Sequence, residues 1–163
     1  SADVNLIKVE TAEEMLKATQ KSLPTDVAIF SAAVSDFKIK NKSRNKIKKQ
    51  ENLIINLEKN IDILNYVSNH NSMRPKLVIG FAAETNEIDK NATSKLLNKN
   101  CDWIIANDVS KKNCGFDSDY NEVTIHYKDI KNKKEKLLLK KKSEISEEIV
   151  DRIVNQINWW LKY

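Results

Sequence analysis

Glycine occurs only twice in these 163 residues, at Gly80 and Gly115, and that scarcity limits both the fold and its chemistry. Turns that wrap a phosphate in backbone N–H groups need several glycines close together, so neither GxGxxG nor GxxxxGK[ST] can be written anywhere in this chain. A bound polyanion would have to rest on side-chain cations, on helix N-termini or on a segment outside this sequence.

Within that limit, apolar residues alternate between short runs and helical spacing. Residues 4–9 (VNLIKV) predict a strand, and Thr11 with Glu14 forms a T-x-x-E capping box that opens a helix to about Ser22. Residues 26–34 (DVAIFSAAV) predict a central parallel strand buried on both faces. A short strand over 53–57, a helix from about Ile61 to Asn69, a buried strand over 76–82, a helix from about Glu87 to Lys99 and a third core strand over 102–106 follow. Beyond a polar loop (107–121), alternation over 122–128 and 135–140 predicts an antiparallel hairpin around Asp129–Lys134. Ser143 is expected to cap a last helix, with Glu144, Glu147 and Glu148 in its first turn and a stripe of Ile145, Ile149, Ile153 and Ile157 along a sheet. The order predicts one three-layer α/β domain over 1–163, its sheet mostly parallel with an antiparallel edge hairpin. The first strand has no βα unit before it, so the chain is expected to start partway into its domain.

Composition removes several function classes. The length suits one domain, and 40% apolar with 31% charged residues is enough for a packed core, against wholesale disorder. No apolar run approaches the ~20 residues of a membrane helix, and SADVNLIKVETAEEM is not a signal peptide. Cys101 and Cys114 stand alone, without CxxC or clustered His/Cys, which points away from a disulfide framework or zinc site and towards a reducing, cytoplasmic setting. His70 and His126 are far apart, so no nucleophilic triad can be named. The acidic loop after Gly115 lacks the twelve-residue calcium pattern. A net charge of +5 is a mild basic excess.

Five features could carry chemistry. Asp36, just past the strand ending near Val34, could hold Mg²⁺ or a hydroxyl, or be an ordinary turn aspartate. Lys38, Lys40, Lys42, Arg44, Lys46 and Lys48 recur at every second position, which in an extended segment aligns them for a triphosphate, for nucleic acid or for solvent. Lys95 and Lys99 are four apart on one helix face and could grip one polyanion, or be ordinary surface lysines. Phe81 could be core or a stacking ring, and Asn107-Asp108 follow the strand 102–106 at the same expected edge, where polar groups could meet a substrate.

These features, in this order, resemble phosphopantothenate–cysteine ligase, the synthetase part of bacterial bifunctional coenzyme A biosynthesis proteins. The resemblance rests on SAAVSDF (31–37), KIKK (46–49), KNIDIL (59–64), VIGFAAET (78–85), KLLNK (95–99), DWIIANDVS (102–110) and GFDSDYN (115–121), and covers nearly the whole chain. It implies a Rossmann-like three-layer fold, CTP as co-substrate with Mg²⁺, and a homodimer. By position, it implies that Phe30, Ser31 and Ala32 border the cytidine and that Asp36 contacts the nucleotide or its metal. It also implies that Lys46 is a catalytic loop lysine on the phosphates. Ile61, Asp62, Ile63, Leu64 and Phe81 would line the pocket, and Lys95 and Lys99 would bind nucleotide. Ile61 stands where the family often has proline. The family's N-terminal Gly- and Ser-rich segment, with an asparagine for the second half-reaction, has no counterpart here, so the resemblance implies the C-terminal part of a longer polypeptide.

The implied reaction joins 4′-phosphopantothenate to L-cysteine through an acyl-cytidylate, with neither cysteine of the chain as nucleophile. Two other readings stay open at this point: a nucleic-acid-binding α/β domain that uses the 38–48 arm, against which no RNP, KH or helix-turn-helix pattern is found, and an inactive remnant kept for dimerisation.

Overall fold

The computed structural model describes residues 3–41, 43, 45–47, 52–110, 118–129 and 133–162. Helix α1 (Ala12–Lys21) opens at the capping box read from sequence: Glu14 N–H donates to Thr11 Oγ1 at 3.2 Å, and Thr11 N–H donates to Glu14 Oε2 at 3.2 Å. Strand β1 (Val27–Phe30) leads to β2 (Phe37–Ile39), which pairs antiparallel with β3 (Leu57–Lys59) as a separate two-stranded ribbon. Helix α2 (Ile63–Ser68) is capped by Asp62, whose Oδ1 accepts from Asn65 N–H at 2.9 Å. Strand β4 (Leu77–Glu84), α3 (Ile88–Asn98), β5 (Trp103–Asp108), β6 (Tyr120–Tyr127), β7 (Lys134–Lys141) and α4 (Lys142–Trp160) complete the order.

The main sheet runs β1-β4-β5-β6-β7, parallel through β5 and antiparallel beyond it. This is the expected α/β architecture with an antiparallel edge hairpin. Helix α4 covers one face: Ile145, Ile149 and Ile153 pack on Leu77, Ile79, Trp103, Ile105, Val123, Ile125 and Leu137, with Ile157 partly buried against them, as the i, i+4 stripe predicts. On the other face Ala92 and Leu96 of α3 meet Val78, Ala82, Ile104 and Ala106, with Phe30 and Leu64 beside them. Cys101 belongs to that second core, and burial pushes its thiol up to about 11, so it is no thiolate nucleophile at neutral pH. Cys114 lies outside the described residues.

Arg74 locks the amino ends of the core strands to the helix ends. Its guanidinium donates to the carbonyls of Ser68 (2.8 Å), Pro75 (2.9 Å) and Asn100 (3.0 Å) and to Asp102 Oδ1 (3.0 Å), while Asp102 Oδ2 accepts from Val78 N–H at 2.7 Å. Carbonyls left over around the ends of α2 and α3 thereby find a donor. Asn100 adopts a positive φ of 57° after α3, the place glycine usually takes, so the glycine-poor sequence ends that helix with the residue that best tolerates this geometry.

Several expectations need correction. Residues 4–9 form no strand, and Val4, Leu6 and Ile7 are exposed: a strand exists only when a neighbour takes its N–H and C=O groups, and none lies beside this run among the described residues. For the same reason β1 is an edge strand rather than a central one, paired only with β4 and with Ile29 exposed. The strand expected at 53–57 falls at 57–59 instead. A ribbon of two three-residue strands has no second layer on which to bury Leu53, Ile54 and Ile55. Among the described residues of the alternating basic segment, Phe37–Ile39 alone is in a strand, with Lys38 paired to Glu58 at 3.3 Å; Lys42, Arg44 and Lys48 lie outside the described residues. Ser143 is not the cap of α4. Strand β7 runs straight into the helix, which starts at Lys142, and Lys141 N–H donates to Glu144 Oε2 at 3.0 Å.

Candidate functional site

Gly80 shows how the site is shaped. A Cβ there would stand 2.6 Å from Leu64 Cδ2 and 2.9 Å from Ile104 Cδ1, so the bare backbone lets these side chains close over β4. Pairing of β1 with β4 stops at Phe30↔Gly80, and past that point β4 keeps β5 on one side but has no strand on the other among the described residues, which leaves Phe81 partly uncovered. The result is a cavity of about 300 Å³ at the carboxyl end of β1.

Its walls come from six places in the chain. Phe30 ends β1, and Ala32, Val34, Ser35 and Asp36 follow it. Asn60 to Leu64 bring in the amino end of α2; Phe81 and Ile104 come from β4 and β5; Lys95 and Lys99 reach in from α3, and Met15 from α1. Asn60 binds the first wall to the second, donating from Nδ2 to Ser35 O at 2.7 Å and from its backbone N–H to Asp36 O at 2.8 Å.

Of the residues picked from sequence, Phe30, Ala32, Asp36, Ile61, Asp62, Ile63, Leu64, Phe81, Lys95 and Lys99 therefore line one cavity. Ser31 and Lys46 do not line it. Ser31 is exposed just after β1, and Lys46 is exposed on the arm between β2 and β3. Met15, Val34, Ser35, Asn60 and Ile104 were not singled out. Asn60 adjoins the IDIL run and could have been noticed there, whereas Met15 and Ile104 look like ordinary core residues of their elements.

The cavity holds two ammonium groups and each already has a carboxylate. Lys95 Nζ lies 2.6 Å from Glu84 Oε1, near the start of α3, while Glu84 Oε2 accepts from Asn91 Nδ2 at 3.1 Å. The Lys95 contact is outside hydrogen-bonding alignment, so Oε1 is ion-paired yet has no hydrogen bond. Lys99 pairs with Asp62 Oδ2, whose other oxygen caps α2. Asp36 is exposed at the mouth.

No group of three or more His, Cys, Asp or Glu side chains among the described residues could hold a metal by itself. Mg²⁺ arriving on phosphates needs only one or two protein carboxylates. Asp36 offers such an oxygen, whereas Asp62 is committed to Lys99 and the helix cap.

An open α/β sheet with a mixed apolar and cationic cavity at a strand's carboxyl end places the chain in the layered α/β class, whose ligand sites lie at that end of the strands. The chain belongs to the family described as DNA/pantothenate metabolism flavoprotein C-terminal domain, matched over residues 1–157. It is 38% identical over 156 residues to the coenzyme A biosynthesis bifunctional protein CoaBC of Haemophilus influenzae, covering 94% of this chain and 38% of that protein. It is 36% identical over 162 residues to a cysteine/cysteine sulfinic acid decarboxylase from an unknown prokaryotic organism, covering 97% of this chain and 44% of that protein. The crystal structure of the C-terminal domain of a CoaBC protein superimposes with a TM-score of 0.73 at 33% identity, over 93% of this chain and 65% of that one. The chain thus spans well under half the length of these curated relatives. No helix among the described residues is long and apolar enough to cross a membrane.

Proposed function

We propose that this chain is the CTP-binding part of a phosphopantothenate–cysteine ligase acting in coenzyme A biosynthesis. The observation that carries the reading is the convergence of Phe30, Ala32, Asp36, Ile61–Leu64, Phe81, Lys95 and Lys99, from four separate stretches of sequence, on one cavity. Membership of the family and the likeness to CoaBC proteins support it.

In this reading Phe30, Phe81 and the Ile61–Leu64 turn form the apolar wall for the cytidine, and Lys95 and Lys99 take the phosphates. The carboxylate of 4′-phosphopantothenate attacks the α-phosphorus of CTP; the bond to the β-phosphate oxygen breaks and pyrophosphate leaves. The amine of L-cysteine then attacks the acyl carbon of the acyl-cytidylate, loses a proton and expels CMP. Both steps bring anions together, so the protein's contribution is charge neutralisation and alignment rather than a side-chain nucleophile. Asp36 would hold Mg²⁺, which supplies further charge neutralisation on the phosphates. Lys46, on the arm outside the cavity, would act on the phosphates as the catalytic loop lysine, and the complete enzyme would work as a homodimer.

Titration calorimetry with CTP, UTP and ATP tests the binding part of this reading directly. Binding of CTP that Lys95→Ala with Lys99→Ala weakens at least tenfold is the expected result. Equal affinity in the wild type and the double variant would remove these lysines from the site. In a polypeptide carrying the complete synthetase, Lys46→Ala should slow CTP-dependent pyrophosphate release without changing the melting temperature.

A further inference from the structure

We infer that Asp62 and Glu84 act as built-in competitors for the cavity's two ammonium groups, so that the site admits only an anion able to displace both carboxylates. This rests on the proposed phosphate role of Lys95 and Lys99. The two ammonium groups of the site are neutralised by pairs: Lys95 with Glu84, and Lys99 with Asp62. Neither carboxylate is there for the lysine alone. Asp62 caps α2 through its other oxygen, and Glu84 is held by Asn91, one helical turn before Lys95 on the same face of α3. The carboxylates are thus fixed by the fold, while the lysines are the movable partners.

Both lysines keep room to move, although Lys99 donates a hydrogen bond to Asp62 Oδ2 and Lys95 makes none to Glu84. Lys95 and Lys99 side chains are 44% and 34% exposed, so their ammonium groups can swing on flexible stems. Glu84 Oε1 is buried and has no hydrogen bond, so its hold on Lys95 is electrostatic, without the directional bond that would fix the lysine in place. An arriving anion must replace two carboxylate charges. A polyphosphate carries enough charge to do so and still keeps oxygens for other donors, which gives it the advantage over a single phosphate. Selection for a polyphosphate ligand then follows from a charge exchange and needs no glycine-rich turn.

The variants Asp62→Asn and Glu84→Gln remove the charges and keep the shape, since asparagine caps helices as aspartate does and the glutamine carbonyl can still accept from Asn91 while its amide no longer holds Lys95. The probe is inorganic tripolyphosphate, measured by calorimetry on the whole chain, with thermal melting to verify the fold. The double variant is expected to bind tripolyphosphate about tenfold more tightly than the wild type, with each single variant giving part of the gain. Adding Lys95→Ala and Lys99→Ala to the double variant should abolish the gain. A gain that survives without the lysines would be a general field effect and would overturn the inference. So would unchanged or weaker binding in the double variant, or no measurable binding in any form. Failure of CTP to bind would sink the nucleotide reading alone, because tripolyphosphate carries no base.

Discussion

His126 sits where a positive charge is poorly tolerated. It is 5% exposed on β6, and its Nε2 lacks a hydrogen bond and stands 3.5 Å from Asp89 Oδ1 on α3, with Lys134 pairing the same aspartate from β7. Burial lowers its affinity for a proton below the ordinary 6.5; Asp89 opposes that shift and Lys134 adds to it. The unfolded chain therefore takes up the proton more readily than the folded one. The stability this represents is complete above about pH 6.5 and is lost as pH falls from there towards the lowered folded value. Asp89 and Glu135, held below the ordinary carboxylate range chiefly by hydrogen bonds from Lys134 and Arg152, act only at more acid pH. Urea midpoints measured between pH 5 and 7 should fall on the acid side in the wild type and stay flatter in His126→Gln. Parallel curves would show that His126 does not titrate with folding. From sequence the residue looked like a lone histidine on an alternating strand. That it faces α3 depends on β5–β6 register, which no local pattern encodes.

Among elements, what was legible followed the range of the interaction. The start of α1 could be read because Thr11 and Glu14 are three residues apart and satisfy each other locally. The stripe on α4 could be read because its period is a property of the helix alone. Residues 4–9 misled because their alternation requires a partner strand, and the spacing of Lys95 and Lys99 was visible while the carboxylates that hold them come from β4 and α2. Arg74 was not singled out at all. It sits on a connection, and its importance comes from carbonyls donated by Ser68 and Asn100, far apart in sequence. Because one rigid fork meets four acceptors, Arg74→Ala should cost about 2–3 kcal/mol in chemical denaturation. Arg74→Lys should recover little of it, since a single ammonium cannot reproduce the fork. Recovery of most of the stability by lysine would show that charge, not geometry, matters there.

On the scale of the whole molecule, the sheet ends in an antiparallel hairpin of two eight-residue strands at one side and in the four-residue strand β1 at the other. The outer edge of β1 has no partner among the described residues, and Ile29 together with Val4, Leu6 and Ile7 leaves apolar surface uncovered near the start of the chain. Bare strand edges of this kind readily recruit another strand. A polypeptide that also supplies the remainder of the CoaBC C-terminal domain, of which this chain covers 65% of the solved form, should slow amide exchange across Val27–Phe30. Unchanged exchange there would mean that the added part packs elsewhere.

One wall of the cavity, from Phe30 to Asp36, hangs from that half-supported strand, while the opposite wall stands on β4 and β5 in the stiff interior. Whatever steadies the loose wall also prepays the ordering that a guest would otherwise demand. By reciprocity, a guest lodged between the walls must tighten the grip of the edge on its neighbour by the same factor. A partner for the open edge of β1 and a guest in the cavity would therefore strengthen one another.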